Sequence, residues 1–401
     1  MSSFRIGAAA RDITPPVGIT LVGYRPRVSA SIGHGLRAEA LSCRDGRGAW
    51  ILVTADVLGF RASWSREARE RIAARTGVPA EAVVLAGVHT HSGPPTTLCG
   101  EGELSGADRG YLKDLADILV EAASEAVERA EDGTFRTAMA QAPLLASNRR
   151  IRGTDGVWVN EWRDPEGRHP GYVDPSVFLA AVARPDGTRD ALLVGYGCHP
   201  VVLGPESPAI SADYVGYLKD ALEREGAARI ALFALAGAGN VNPRDCILAD
   251  PGAPRGMGEA LARTVAQALP RLEEAGGTGV AAVRLPWDIV RTRDAYKPTA
   301  DGVNRAGETV HAEITALRAG NLAFLCIPGE LFSEYAAVFR GLEPGRHVAV
   351  VSLADDYVGY LPTDEAQKQG AYETKMAPAD GLENGLISRA REALQRAFAG
   401  P

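Results

Sequence analysis

The stretch Val83-Val84-Leu85-Ala86-Gly87-Val88-His89-Thr90-His91-Ser92-Gly93-Pro94 decides how the rest of the chain is read. Its apolar run from Val83 to Ala86 reads as a buried strand. Two histidines one residue apart follow, and Ser92-Gly93-Pro94 ends the strand. On extended backbone, residues i and i+2 point to the same side. Both imidazoles are therefore expected to converge on one spot at the strand's end. Neutral imidazole is the commonest metal ligand and the usual proton shuttle near pH 7. A pair of surface histidines on a loop is the competing reading, and the motif alone does not choose between them.

Upstream of this stretch, Phe4 to Thr14 reads as a strand leading into the turn at Pro15-Pro16. Leu36 to Cys43 and Ala49 to Asp56 read as a strand pair joined by the turn at residues 44–48. Ser63 to Thr76 has helical spacing, ends at Gly77 and has Ser63 or Ser65 as its expected cap. Downstream, Leu112, Leu115, Ile118, Leu119 and Ala122 recur at three- and four-residue steps, which predicts a helix over 108–130. Thr134 to Leu145 reads as a strand, and residues 153–174 as a long surface loop. Val177 to Ala183 and Ala191 to Tyr196 form a second strand pair, which runs into Cys198-His199-Pro200. A helix over 214–225, a strand over 230–235, a helix over 256–268 and a strand over 279–290 come next. His311 to Ala319 and Leu322 to Cys326 pair and end in Pro328-Gly329-Glu330. A helix over 332–342 and a strand over 348–353 lead to Tyr357 and Tyr360. Strands alternating with helices predict an α/β fold of mixed sheets flanked by helices. The polar clusters fall just past strands, where such folds bind ligands.

Composition excludes several classes of function. The chain has 401 residues, 46% hydrophobic and 23% charged, with a net charge of -7 and a pI near 5.6. No Lys/Arg-rich run stands out, so nucleic acid is not an expected partner. No apolar run has the length of a membrane span. Met1-Ser2-Ser3-Phe4-Arg5-Ile6 lacks the pattern of a secretory signal. The five cysteines, Cys43, Cys99, Cys198, Cys246 and Cys326, are scattered and odd in number. They point to reduced thiols and a cytoplasmic setting. A small-molecule substrate is expected, with no membrane adhesion. A homo-oligomer is left open.

Candidate ligands stand at several strand ends: His89 and His91, His199, Glu330, and Tyr357 or Tyr360. Two or three histidines with one carboxylate and a position for water make a catalytic zinc site. Each residue has a plainer reading. His199 suits a core histidine, Glu330 the first turn of the next helix, and the tyrosines half-buried packing. The loop Gly237-Ala238-Gly239-Asn240-Val241-Asn242-Pro243-Arg244 lets backbone N–H groups approach a ligand. Asn148-Arg149-Arg150 offers a guanidinium for a substrate carbonyl. Asp56 and Asp213 could orient ligand histidines or serve as structural caps. Cys198 suits a buried thiol better than a ligand.

Taken in order, these motifs resemble the neutral/alkaline non-lysosomal ceramidase family of zinc-dependent amidases. Gly7-Ala8-Ala9-Ala10-Arg11-Asp12-Ile13-Thr14-Pro15 with Gly23-Tyr24 is similar to the family's opening signature. His89-Thr90-His91-Ser92-Gly93-Pro94 matches its most distinctive motif. Asn148-Arg149, His199, Ile210-Ser211-Ala212-Asp213, Pro328-Gly329-Glu330, Tyr357-Val358-Gly359-Tyr360 and Tyr372-Glu373 follow in the family's order. The resemblance implies one ceramidase-like catalytic domain over residues 1–401, with its active site at strand ends. It implies that His89, His199, Glu330 and Tyr360 bind Zn2+, and that His91, Arg149 and Tyr372 surround a scissile carbonyl. The implied reaction is attack on a linear amide by zinc-activated water. Hydrolysis of an ester or lactone, ring closure, and metal binding without catalysis remain as alternatives.

The chain also departs from the family. Where lipid-active members carry G-D-V-S-P-N, it has Gly239-Asn240-Val241-Asn242-Pro243-Arg244. Residue 242 is asparagine, which excludes a serine acyl-enzyme at that position. No room is expected for the long members' C-terminal immunoglobulin-like domain. A small polar or modestly acylated amide is therefore expected in place of ceramide.

Overall fold

The computed structural model describes residues 4–97, 104–295 and 302–400. Cys99 and the first three residues, which enter the readings above, lie outside the described residues. The main sheet runs in the order Ile230–Leu235, Arg189–Tyr196, Ser176–Ala183, Glu131–Gln141, Phe4–Asp12, Arg37–Arg44, Ala49–Ala55, Val83–Gly87. Its interior pairings are antiparallel. The strand at each edge, by contrast, lies parallel to its neighbour.

The second sheet is Val280–Val290, Thr309–Ala319, Leu322–Cys326, His347–Val351. Its inner strands are apolar without alternation because both faces are buried. Leu322, Phe324, Cys326, Ala349 and Val351 face the core shared with the main sheet. Ala323, Leu325, Val348 and Val350 face the other way. Trp50 ties the two sheets together. Its ring packs 5.5 Å from that of Phe324, and its indole N–H donates to the Arg318 carbonyl at 2.9 Å.

The segment Ser352 to Asp355 joins the two edges of the main sheet. Ser352 N–H donates to the Leu235 carbonyl at 2.7 Å, and Gly87 N–H to the Leu353 carbonyl at 3.3 Å. Asp355 N–H donates to the Leu85 carbonyl at 2.7 Å. Loops leaving opposite edges of one sheet thereby meet at one place.

Helix Gly106–Glu128 starts at a capping box between Ser105 and Asp108. Helix Ala62–Thr76 differs from expectation at its start. It begins after Arg61 with no side-chain cap, and the Ser65 hydroxyl donates instead to Asp355 at 3.1 Å. Its end at Gly77, φ 75°, is as read from the sequence. No motif anticipated the C-terminal helix Glu383–Ala399. It lays Leu386, Ala390, Ala393, Leu394 and Ala397 on the outer face of the second sheet. These positions follow helical spacing. Among the described residues, no helix is long and apolar enough to cross a membrane.

Candidate metal centre and substrate cavity

Beyond Gly87 the chain leaves the sheet and follows the loop after Ala55. Val88 N–H donates to the Ala55 carbonyl and His89 N–H to the Val57 carbonyl, both at 2.9 Å. His89 has φ 76°, in the left-handed region. The expected convergence of two histidines on extended backbone is thus replaced. The turn at His89 brings the rings to 4.9 Å between centroids, with their Nε2 atoms 3.3 Å apart. A left-handed non-glycine residue costs about 1–3 kcal/mol and persists where the surroundings fix it. Gly23, φ 102°, is needed beside it, because a Cβ there would lie 2.5 Å from the His91 ring.

The other groups arrive from separate elements. His199 follows strand Arg189–Tyr196, and its N–H donates to the Val241 carbonyl at 3.0 Å. Glu330 pairs in parallel register with Tyr360. A Cβ at Gly239 would lie 2.6 Å from the Glu330 carbonyl, so that loop approaches as only glycine permits.

The side chains of His89, His199 and Glu330 meet almost wholly buried. His199 Nε2 lies 2.9 Å from Glu330 Oε2, and His89 Nε2 lies 3.4 Å from the same oxygen. Both Nδ1 atoms face carbonyl oxygens: Leu58 at 2.8 Å for His89, and Ala238 at 2.7 Å for His199. A carbonyl only accepts, so each Nδ1 carries a hydrogen, and in the neutral form of either ring the Nε2 facing Glu330 is bare. Burial, then the charge of Arg149, pushes His199 down to about 4, against the pull of Glu330. Histidine contacts hold the Glu330 carboxyl well below its usual range despite burial. With a hydrogen on each Nδ1, the two Nε2 atoms and the Glu330 carboxylate face one point.

A metal ion suits that arrangement. Donors about 2.0–2.1 Å from a tetrahedral zinc lie roughly 3.3 Å from one another, close to the separations here. One ring nitrogen from each of His89, His91 and His199 lies within 4.8 Å of the other two, so His91 belongs to the same cluster. Its Nδ1 is buried with no hydrogen-bond partner among the described residues.

The tyrosines divide in an unexpected way. Tyr357 donates its hydroxyl to Glu330 Oε1 at 2.5 Å. The Tyr360 hydroxyl accepts from Arg149 Nη2 at 3.1 Å, and its ring stands 5.7 Å from that of Tyr372. Burial, then Glu330, raises the Tyr360 phenol, while Arg149 pulls it the other way.

Arg149 is 4% exposed. It donates through Nε to Glu373 at 2.8 Å, through Nη1 to Asn242 Oδ1 at 3.1 Å, and through Nη2 to the Gly239 carbonyl at 2.7 Å. Its guanidinium is thereby committed to the protein behind Tyr360 and does not line the cavity. Glu373 also takes Arg150 at 2.9 Å, and Asn160 at 2.6 Å. The sequence motifs contain Glu373 and Asn242 but do not reveal that they hold Arg149. Only the long-range contacts show it.

A cavity of about 370 Å³ opens above the cluster, lined by His89, His91, Glu330, Tyr357, Tyr360 and Tyr372 among others. Asp56 and Asp213 do not touch the histidines, whose Nδ1 atoms face carbonyls. Asp56 binds Lys219 at 2.7 Å. Asp213 accepts the backbone N–H groups of Leu203 and Tyr214 at 2.8 and 2.7 Å. Cys198 is fully buried, and burial pushes its thiol well up.

The sequence profile described as neutral/alkaline non-lysosomal ceramidase, N-terminal, matches residues 4–248. No curated protein matches the chain by sequence. Among solved structures, the neutral ceramidase from Pseudomonas aeruginosa is 17% identical and superposes with a TM-score of 0.79. That alignment covers 100% of this chain and 75% of the other. A structure described as ceramidase complexed with C2 is 16% identical with a TM-score of 0.78, covering 100% of this chain and 76% of that one. The profile spans more than half of the chain, and the fold follows the same architecture throughout. This chain belongs to the neutral/alkaline non-lysosomal ceramidase family.

Proposed function

We propose that the chain is a zinc-dependent amidase acting on a small N-acyl molecule. The observation that carries this reading is the meeting of two bare imidazole nitrogens and a carboxylate at one buried point. His89, His199 and Glu330 would hold the metal, with the Tyr360 hydroxyl as fourth ligand. The parallel register of Glu330 with Tyr360 supports that choice, since paired positions leave a sheet on the same face. Bound there, zinc supplies a Lewis acid and a water whose pKa falls to about 7.

The remaining work falls to the chain's own residues. The substrate enters the cavity with its carbonyl toward the histidines. Tyr372 on the cavity wall donates a hydrogen bond to the carbonyl oxygen as negative charge builds on it. His91 takes the proton released by the attacking water and passes it to the departing nitrogen, so acid and amine leave in balance. Arg149 holds Tyr360 in place from behind. Asn242 offers no hydroxyl for a covalent route and holds Arg149 instead. A cavity of about 370 Å³ is near the small end of ligand sites, about 300–1,000 Å³, which favours a compact substrate.

The test is turnover of a panel of N-acyl amines, read as released amine. Activity should vanish with a chelator and return with zinc. His91→Ala should lower kcat by about 10²–10⁴-fold while metal content stays unchanged. Turnover that survives both the chelator and His89→Ala would refute the proposal.

A further inference from the structure

Two arginines on the cavity wall have no role in the reaction described above. Arg25 is exposed and lines the cavity. It follows Tyr24, whose ring lies 4.8 Å from that of His91. It makes no hydrogen bond or ion pair among the described residues. Arg291 lines the same cavity although it is only 4% exposed. Its Nε donates to the Val303 carbonyl at 2.7 Å. Its Nη1 and Nη2 have no partner among the described residues.

The surroundings make this unusual. Arg293, two positions on, donates to the Thr374 carbonyl at 2.8 Å and pairs with Asp380. Glu308, the acid that acts on Arg291, accepts the N–H groups of Asn304 and Arg305 at 2.6 and 2.8 Å. Glu330 is the one acid among the described lining residues, and it belongs to the metal centre. A cavity lining with the Arg25 guanidinium and the two Nη groups of Arg291 unpaired, and no acid outside the metal centre among its described residues, favours an anion. Planar guanidinium matches a carboxylate with two parallel hydrogen bonds.

Resting on the amidase reading, we infer that the substrate carries a carboxylate, as an N-acyl amino acid does, and that Arg25 and Arg291 bind it. The scissile carbonyl then faces the histidines while the carboxylate is held by the arginine-bearing wall. The two arginines are specificity residues and take no part in bond breaking.

The test uses a matched pair of compounds, N-hexanoyl-phenylalanine and N-hexanoyl-phenethylamine, which differ only in the carboxylate. Calorimetric titration of the zinc-loaded protein should show the acid binding at least about tenfold tighter, the scale of one charge-assisted hydrogen bond. That advantage should shrink below about threefold in Arg291→Gln and in the Arg25→Gln, Arg291→Gln double variant. Arg25→Gln alone should shrink it in part, with no buried contact to lose. Equal affinity for the two compounds, including no binding of either, overturns the inference. So does an advantage that survives the double variant but disappears in His89→Ala, because the carboxylate would then sit at the metal. Turnover separates the two readings. Arginine-dependent binding without hydrolysis leaves the anion site standing and removes the amidase. Equal hydrolysis of both compounds leaves the amidase and removes the anion site.

Discussion

Two buried polar clusters lie on either side of the loop after strand Ala49–Ala55, and they balance charge differently. In one, Lys219 Nζ donates to Glu39 at 2.7 Å and to both Asp56 oxygens at 2.7 and 2.9 Å. Arg37 adds a second cation 3.2 Å from Glu39. Arg37 also donates to Glu223 at 2.7 and 3.1 Å, and the cluster carries its own cation, Lys219, between the two buried acids. In the other, His89, His199 and Glu330 meet with no lysine or arginine in an ion pair with Glu330 among the described residues. Burial alone therefore does not mark a functional cluster. The first kind meets its acids with lysine and arginine, and the second brings together imidazole nitrogens that could hold a metal ion. The two are also linked, because the loop anchored by Asp56 supplies the Val57 and Leu58 carbonyls that fix His89.

This contrast can be broken first at its self-contained half. Lys219→Met should cost about 3–5 kcal/mol of unfolding free energy, because it leaves two buried carboxylates short of a partner. Urea denaturation with and without zinc should show that loss in both conditions. A loss under about 1 kcal/mol would mean the acids are not charged in the fold.

Metal removal attacks the other half. With free zinc at a hundred times its dissociation constant, the wild type should be about 2.7 kcal/mol more stable than in chelator. His199→Ala should respond to neither. If Lys219→Met abolished the zinc response and His199→Ala kept it, the roles of the two clusters would be reversed.

A finer test separates ligands from the groups behind them. Asn242→Ala removes one hydrogen bond from Arg149 and should lower kcat/KM by about tenfold at unchanged metal content. Loss of the metal instead would place Asn242 closer to the centre than its contacts indicate. The smallest effect belongs to an exposed pair. Arg163 and Asp245, 48% and 59% exposed at 2.8 Å, should contribute less than about 0.5 kcal/mol to stability. Chemical denaturation of Arg163→Ala measures it.

Local signals made much of the fold legible. The helix over Leu112–Ala122, the paired strands around the turn at 44–48, and the cluster of motifs at strand ends all follow from short-range pattern. The same is true of the family. What stayed hidden depends on contacts far apart in sequence. The left-handed turn at His89 is set by hydrogen bonds to Ala55 and Val57 rather than by the residues around it. Lys219 reads as an ordinary helix lysine until Glu39 and Asp56 are placed beside it. The bridge from Ser352 to Asp355 joins Leu85 to Leu235, and no local pattern announces it. Arg149 reads as a substrate contact, yet Glu373, Asn242 and the Gly239 carbonyl engage it first. Asp56 and Asp213 show a related limit, since a carboxylate at a strand end does not reveal whether it meets a histidine, a lysine or backbone N–H groups. The C-terminal helix does show helical spacing in Leu386, Ala390, Ala393 and Leu394, but no motif draws attention to it.

The central claim, that the histidine–glutamate cluster is built around an added cation, is tested most directly by metal content. The chain would be purified without added metal and analysed by elemental mass spectrometry, as wild type, His199→Ala and Lys219→Met. The account predicts one zinc per chain in the wild type, none in His199→Ala, and retention in whatever fraction of Lys219→Met remains folded. A folded wild type that takes up no metal even when zinc is supplied would contradict it.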